Sequence, residues 1–238
     1  MDRHWISRRR LLASAVGVGL GLAAPAVAPA DDPNPPPEEP FPKDAKEALR
    51  RLIAGNKRFV AEQSVHGRTS KEWRKELAGG QQPFAAVLGC SDSRVIPELV
   101  FDQGLGDLFV VRVAGNVIAT DVLGSLQYAG FHLKIPLLVV LGHEGCGAVG
   151  AALDAKFKRM KEPEHIEALV QMIEPGLKDL DPALTGRAQL NAAVEANVRW
   201  SMKQITDIPD AKSALREKRF EMVGAVYQLA TGAVRFLS

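Results

Sequence analysis

Along the chain, short unbroken apolar runs alternate with longer segments in which apolar residues recur every three or four positions. Phe84–Gly89 (FAAVLG), Leu108–Val113 (LFVVRV) and Leu137–Leu141 (LLVVL) are the unbroken runs. Such runs suit strands covered on both faces in a parallel sheet. Asp44 with Glu47 makes a capping-box pattern, and Leu49, Leu52, Ile53 and Val60 follow at helical spacing, so Ala45–Ala61 is expected to be a helix forming an N-terminal arm. Lys71–Ala78, ended by Gly79-Gly80, is a second helix; Asp121–Leu133, Cys146–Lys161 and Ala188–Ile205 are further ones. Phe220–Leu229 and Ala233–Phe236 read as a strand and a short hairpin partner. Strands alternating with helices mean an α/β fold: a central, mainly parallel β-sheet flanked by helices, with the helical arm at its start. In such sheets ligands collect beyond the carboxyl ends of the strands.

Charge changes the picture at one place only. Lys plus Arg is 30 and Asp plus Glu is 28, a net charge of +2. Arg3, Arg8, Arg9 and Arg10 against Asp2 account for the excess, and the remaining chain carries 26 basic and 27 acidic residues. A nucleic-acid surface needs clustered basic residues on the folded body, so no nucleic-acid partner is expected. Residues 1–30 combine a basic start, an apolar stretch from Leu11 to Ala24 and small-x-small patterns ending at Ala28 and Ala30. That is a signal-peptide layout. Ser7-Arg8-Arg9-Arg10-Leu11-Leu12 adds a twin-arginine signature, the mark of a bacterial route that exports folded proteins. The expected location is periplasmic or secreted, with membrane contact only in transit. An uncleaved membrane anchor is the alternative. Residues 31–43 hold six prolines in thirteen and read as a stiff linker, leaving residues 44–238 as the folded domain.

The chain has only two cysteines, which excludes a disulfide framework. They fall in Cys90-Ser91-Asp92-Ser93-Arg94 and His143-Glu144-Gly145-Cys146-Gly147, each closing an apolar run. Two thiolates and an imidazole suit zinc, and three protein ligands leave a fourth position open, as catalytic sites do. Asp92 is close enough in sequence to lie beside that position, and Arg94 can keep its carboxylate ionised. Asp92 can alternatively turn onto the metal as a fourth ligand. Two buried cysteines are also often inert, and in an oxidising compartment they can pair.

From about Glu47 to Leu237 the chain resembles the β-class carbonic anhydrases. CSDSRV at Cys90–Val95 and GHEGCGAV at Gly142–Val149 match that family's two zinc motifs; GNKRF at Gly55–Phe59, GDLFVVRVAGN at Gly106–Asn116, LQYAGFHLKIP at Leu126–Pro136 and GAVYQLATG at Gly224–Gly232 match further. The resemblance implies one Zn2+ per subunit on Cys90, His143 and Cys146, with Asp92 and Arg94 as the catalytic dyad. It implies reversible hydration of carbon dioxide to bicarbonate and a proton by attack of a zinc-bound hydroxide. Gln81, Phe109, Ala114, Tyr128 and Gly147 fall where the family lines its carbon dioxide pocket, several of them across a dimer interface. A homodimer or higher even-numbered homo-oligomer is therefore expected. His132 falls where some members carry a His proposed to pass protons. Val87 stands where members with a second, inhibitory bicarbonate site have Trp, so that site is expected to be absent. Two other functions remain open: hydrolysis of carbon disulfide or carbonyl sulfide on the same fold, and a non-catalytic zinc-binding or redox protein.

Overall fold

The computed structural model describes residues 41–237. The signal peptide read at residues 1–30 and most of the linker lie outside the described residues.

The first helix, α1 (Ala45–Val60), begins where the Asp44 side chain accepts the Glu47 amide at 2.8 Å. The Glu47 carboxylate returns to the Lys43 amide at 2.9 Å, so one unpaired amide of the first turn and one just before the helix are satisfied. Ala45, Ala48 and Leu52 are buried on its inner face. α2 (Lys71–Leu77) is capped by Ser70. Then follow β1 (Ala85–Gly89), a short α3 (Pro97–Val100), β2 (Leu108–Arg112), α4 (Thr120–Phe131), β3 (Leu137–His143) and α5 (Gly147–Lys158). The chain closes with α6 (Glu164–Ile173), α7 (Gly186–Thr206), α8 (Pro209–Arg216), β4 (Glu221–Tyr227) and β5 (Val234–Phe236).

The five strands form one sheet in the order β2-β1-β3-β4-β5. The first three contacts are parallel and β5 runs antiparallel to β4. Alternate residues of each strand feed two separate cores. Ala86 and Leu88 of β1 and Leu138 and Val140 of β3 pack with α5, α6 and α7. Ala85, Val87, Leu137, Val139 and Leu141 pack with α1 and α3 on the other face. Burial on both faces explains why these strands read as unbroken apolar runs.

Most element ends shift by one to three residues from the sequence reading, and those around the third strand and the helix after it matter most. β3 runs two residues further than Leu141, so His143 is a strand residue rather than a loop residue. Cys146 is the N-cap of α5 and lies outside the helix, which ends at Lys158 where Arg159 turns left-handed at φ 55°. The residues after it hold α6, and those after α7 hold α8, neither of which was read from the sequence.

The connection leaving β1 goes to β2 on one side, and β3 then pairs with β1 on the other. This reversal opens a crevice beyond the carboxyl ends of β1 and β3, the place where open α/β sheets hold their ligands.

Candidate metal centre

Cys90 is the residue following β1, His143 is the last residue of β3, and Cys146 caps α5 two residues beyond the Glu144 that follows. Parallel pairing of β1 with β3 brings the first two side by side. The turn through Glu144 and Gly145 returns the third. The two sulfurs and one ring nitrogen lie within 4.8 Å of one another, and all three residues are buried. His143 Nδ1 donates to the Glu144 carbonyl oxygen at 2.9 Å, which leaves Nε2 as the bare lone pair. Among the described residues Nε2 finds no hydrogen-bond partner. A buried polar atom left this way costs about 1–3 kcal/mol unless something else satisfies it. The donor set of two sulfurs and one imidazole is the one a zinc ion takes, with a fourth corner to spare. These residues fit zinc.

The electrostatics agree. The Cys146 side chain beside it, with His143 and the Gly115 and Asp92 amides, holds the Cys90 thiol far below its ordinary range against the cost of burial. Cys146 is pushed up by the Cys90 sulfur and by burial, because a second negative charge there is opposed. Burial pushes the His143 imidazole down, but the Cys90 sulfur and the Glu144 carbonyl outweigh it and its pKa is raised. The pocket favours positive charge, which a cation supplies. Both cysteines are free thiols rather than a disulfide.

Asp92 stands at the rim. Arg94 donates to both of its carboxylate oxygens, at 2.9 Å and 2.7 Å, and the Arg94 amide adds a third bond at 3.0 Å. The Arg94 side chain first, and its amide after, hold the Asp92 carboxyl well below the usual carboxylate range. Asp92 Oδ2 is 3.8 Å from His143 Nε2, so an ionised oxygen faces the ligand cluster. Arg112, at the end of β2, donates to the Cys90 and Asp92 carbonyl oxygens at 3.0 Å and 2.7 Å, fixing the loop that carries both residues.

Residues 85–234 match the family model for carbonic anhydrase. Carbonic anhydrase 2 of Mycobacterium tuberculosis is 41% identical over 190 residues, covering 78% of this chain and 89% of that protein. A carbonic anhydrase of Mycolicibacterium smegmatis is 41% identical over 191 residues, covering 80% and 92%. The solved structure of the β-carbonic anhydrase CcaA superposes with a TM-score of 0.66 at 28% identity, over 80% of this chain and 95% of that one. The chain belongs to the β-carbonic anhydrase family.

Within one β-carbonic anhydrase chain, the structure gathers only part of the residues that the resemblance singled out. Cys90, Asp92, Arg94, His143, Cys146 and Gly147 converge at the carboxyl ends of the strands, with Ala114 close by because the next residue's amide bonds the Cys90 sulfur. Gln81 does not join them. It precedes β1 whereas Cys90 follows it, and a strand of five residues spans about 17 Å. Phe109 pairs with Ala86 near the amino end of β1, stacks on Tyr128 with ring centroids 6.3 Å apart, and is likewise remote. His132 packs on Tyr128, its ring 4.9 Å away, and is exposed. An apolar cavity lined by Leu123, Phe131, Leu138, Ile205 and Phe220 also lies at the amino ends, away from the cluster.

Behind the cluster, Gly115 and Asn116 fall in the motif ending at Asn116 but carried no assigned role, and Asn197 and Ser201 fall in no motif. For Asn197 and Ser201 the available signal was an Asn and a Ser spaced four apart among the apolar positions of α7.

Proposed function

We propose that this chain is a carbonate dehydratase, catalysing reversible hydration of carbon dioxide with one zinc ion per subunit on Cys90, His143 and Cys146. The observation that carries this is the unsatisfied His143 Nε2 converging with two thiol sulfurs while the ionised Asp92 faces the same point. When bound, zinc supplies a Lewis acid that makes a nucleophile of water near neutral pH. Asp92, kept ionised by Arg94, is an acceptor at every physiological pH. Its Oδ2 takes a hydrogen bond from the attacking water and aims the remaining lone pair at carbon dioxide. The amides of the first turn of α5, starting at Gly147, favour the negative charge that forms on the substrate oxygens. In the single chain the Arg94 side chain is 57% exposed, so the dyad lies at the surface of its own chain. Stopped-flow measurement of carbon dioxide hydration on the zinc-loaded protein tests this. The expected result is hydration far above the buffer rate, with carbon disulfide and carbonyl sulfide turned over poorly. Preference for those sulfur substrates would overturn it.

The active unit is a homodimer or a larger even assembly. Two facts support that: β2 ends the sheet, and Phe109 and Tyr128 stand at that edge, far from their own chain's cluster. Gln81, Phe109 and Tyr128 then line the carbon dioxide pocket of a second copy, beside that copy's Ala114 and Gly147. His132 next to Tyr128 is the residue placed to relay a proton.

The protein is exported as a folded, zinc-loaded domain. The Arg8-Arg9-Arg10-Leu11-Leu12 stretch supports this route, and so do two free thiols that an oxidising compartment would otherwise attack. Replacing Arg8, Arg9 and Arg10 by Lys should leave the chain uncut inside the cell. Sending it through an unfolded-export route should lower its zinc content. Unchanged export of the Lys variant would refute the route.

A further inference from the structure

The Cys90 sulfur accepts a hydrogen bond from the Gly115 amide at 3.3 Å. Gly115 lies in the short helical turn Ala114–Asn116, where its own φ is +68° and that of Asn116 is +43°. Left-handed backbone at two successive residues is held only where the surroundings fix it. The turn has little room to shift inward: a Cβ at Gly115 would come within 2.8 Å of Ile173 and 3.1 Å of Ala148.

Two side chains of α7 supply the fixing bonds. Asn197 Nδ2 donates to the Gly115 carbonyl oxygen at 2.8 Å. Ser201 Oγ donates to the Asn116 carbonyl oxygen at 3.0 Å, and Asn116 Nδ2 lies 3.4 Å from the same Oγ. Asn197 and Ser201 are four residues apart and so face the same side of the helix. They are 1% and 0% exposed. Asn197 Oδ1 finds no partner among the described residues, so the bond to Gly115 is what orients this buried amide.

We propose that Asn197 and Ser201 are positioning residues that hold the Ala114–Asn116 turn so that the Gly115 amide stays aimed at the Cys90 sulfur. This rests on the zinc reading given above and deepens it. An N–H donated to a thiolate draws electron density from the sulfur and fixes its direction. Partners one bond removed from the ligands commonly govern metal retention in this way. α7, far from the crevice in sequence, thereby sets how firmly Cys90 grips the ion.

Ser201→Ala is the cleanest test, since Ala fits a helix interior better than Ser and leaves almost no void. Asn197→Ala is its companion, and Met202→Ala is a control that removes packing against Gly224 without touching the turn. Two readouts apply. One is exchange of the Gly115 amide proton with deuterium, followed by NMR in the metal-free protein. The other is the rate of zinc release to a chromophoric chelator from the loaded protein. Ser201→Ala and Asn197→Ala should each speed both by about 10-fold or more, and Met202→Ala should change neither. Wild-type exchange and release in Ser201→Ala would overturn the proposal, whether or not Asn197→Ala folds. Equal acceleration in Met202→Ala would also overturn it, by showing general loosening. A wild-type protein that takes up no zinc would instead defeat the functional reading beneath it.

Discussion

Arg94 grips both carboxylate oxygens of Asp92, and does so only four residues beyond a metal-type sulfur at Cys90. The pairing leaves the carboxylate ionised and pointed at the ligand cluster. Neither residue alone does this. Arg94 sets the charge state, and the loop pinned by Arg112 sets the direction.

A second carboxylate, just beyond α3, does structural work. Asp102 is buried, with its side chain fully covered, and pairs with Arg58 at 2.5 Å. It also accepts the Val65 and His66 amides at 3.0 Å and 3.1 Å. Burial pushes its pKa up, but Arg58 and the two amides outweigh burial and leave it below the ordinary carboxylate value. Asp102→Asn should therefore destabilise the fold by about 2–3 kcal/mol at pH 7, less than for a fully buried pair because Arg58 is partly wet. A depressed pKa contributes stability above the unfolded value of about 3.9 and loses it as pH falls through the folded one. In denaturant titrations the gap between wild type and variant should hold from pH 8 to about pH 5 and shrink below about pH 4. A gap that widens on acidification would contradict this.

α1 approaches α3 so closely that only glycine fits between them. A Cβ on Gly55 would sit 1.8 Å from the Phe101 carbonyl oxygen and 2.8 Å from its carbon. Both atoms are backbone, so the helix itself must lift. Gly55→Ala should cost about 3 kcal/mol, a fall in Tm of about 6–12 °C for a body of this size. A Tm within a degree of wild type would mean that α1 packs differently.

If Gln81 serves the site of a second copy, two crippled chains should rescue each other. Gln81→Ala and Asp92→Asn subunits, refolded together, should form mixed dimers in which one site is intact. Activity should return to about a quarter of wild type, the share expected from random pairing in a two-fold dimer. Mixtures no more active than the average of their parts would place Gln81 outside that pocket.

The sequence disclosed the chemistry more fully than its supports. Cys90, His143 and Cys146 stood out because thiols and imidazoles are scarce here and sat at the ends of unbroken apolar runs. β1, β2 and β3 were legible because both faces are buried. α8 was not, because eight residues form a helix only when packing holds them, and Ala214 is the one buried residue to mark it. The bond from Asn197 to Gly115 spans 82 residues, and only the fold brings them together. Gln81 and Phe109 resembled pocket residues by position in the motif, but a strand's length separates them from their own chain's cluster.

The central claim is that an ionised Asp92 directs the nucleophile at a zinc site it does not itself hold together. The most direct measurement is stopped-flow carbon dioxide hydration by Asp92→Asn beside wild type, with zinc counted in the same samples. The expected result is about one zinc per chain in both and a rate lowered by roughly 100- to 1,000-fold in the variant. A variant that keeps its zinc and hydrates carbon dioxide at the wild-type rate would contradict the account.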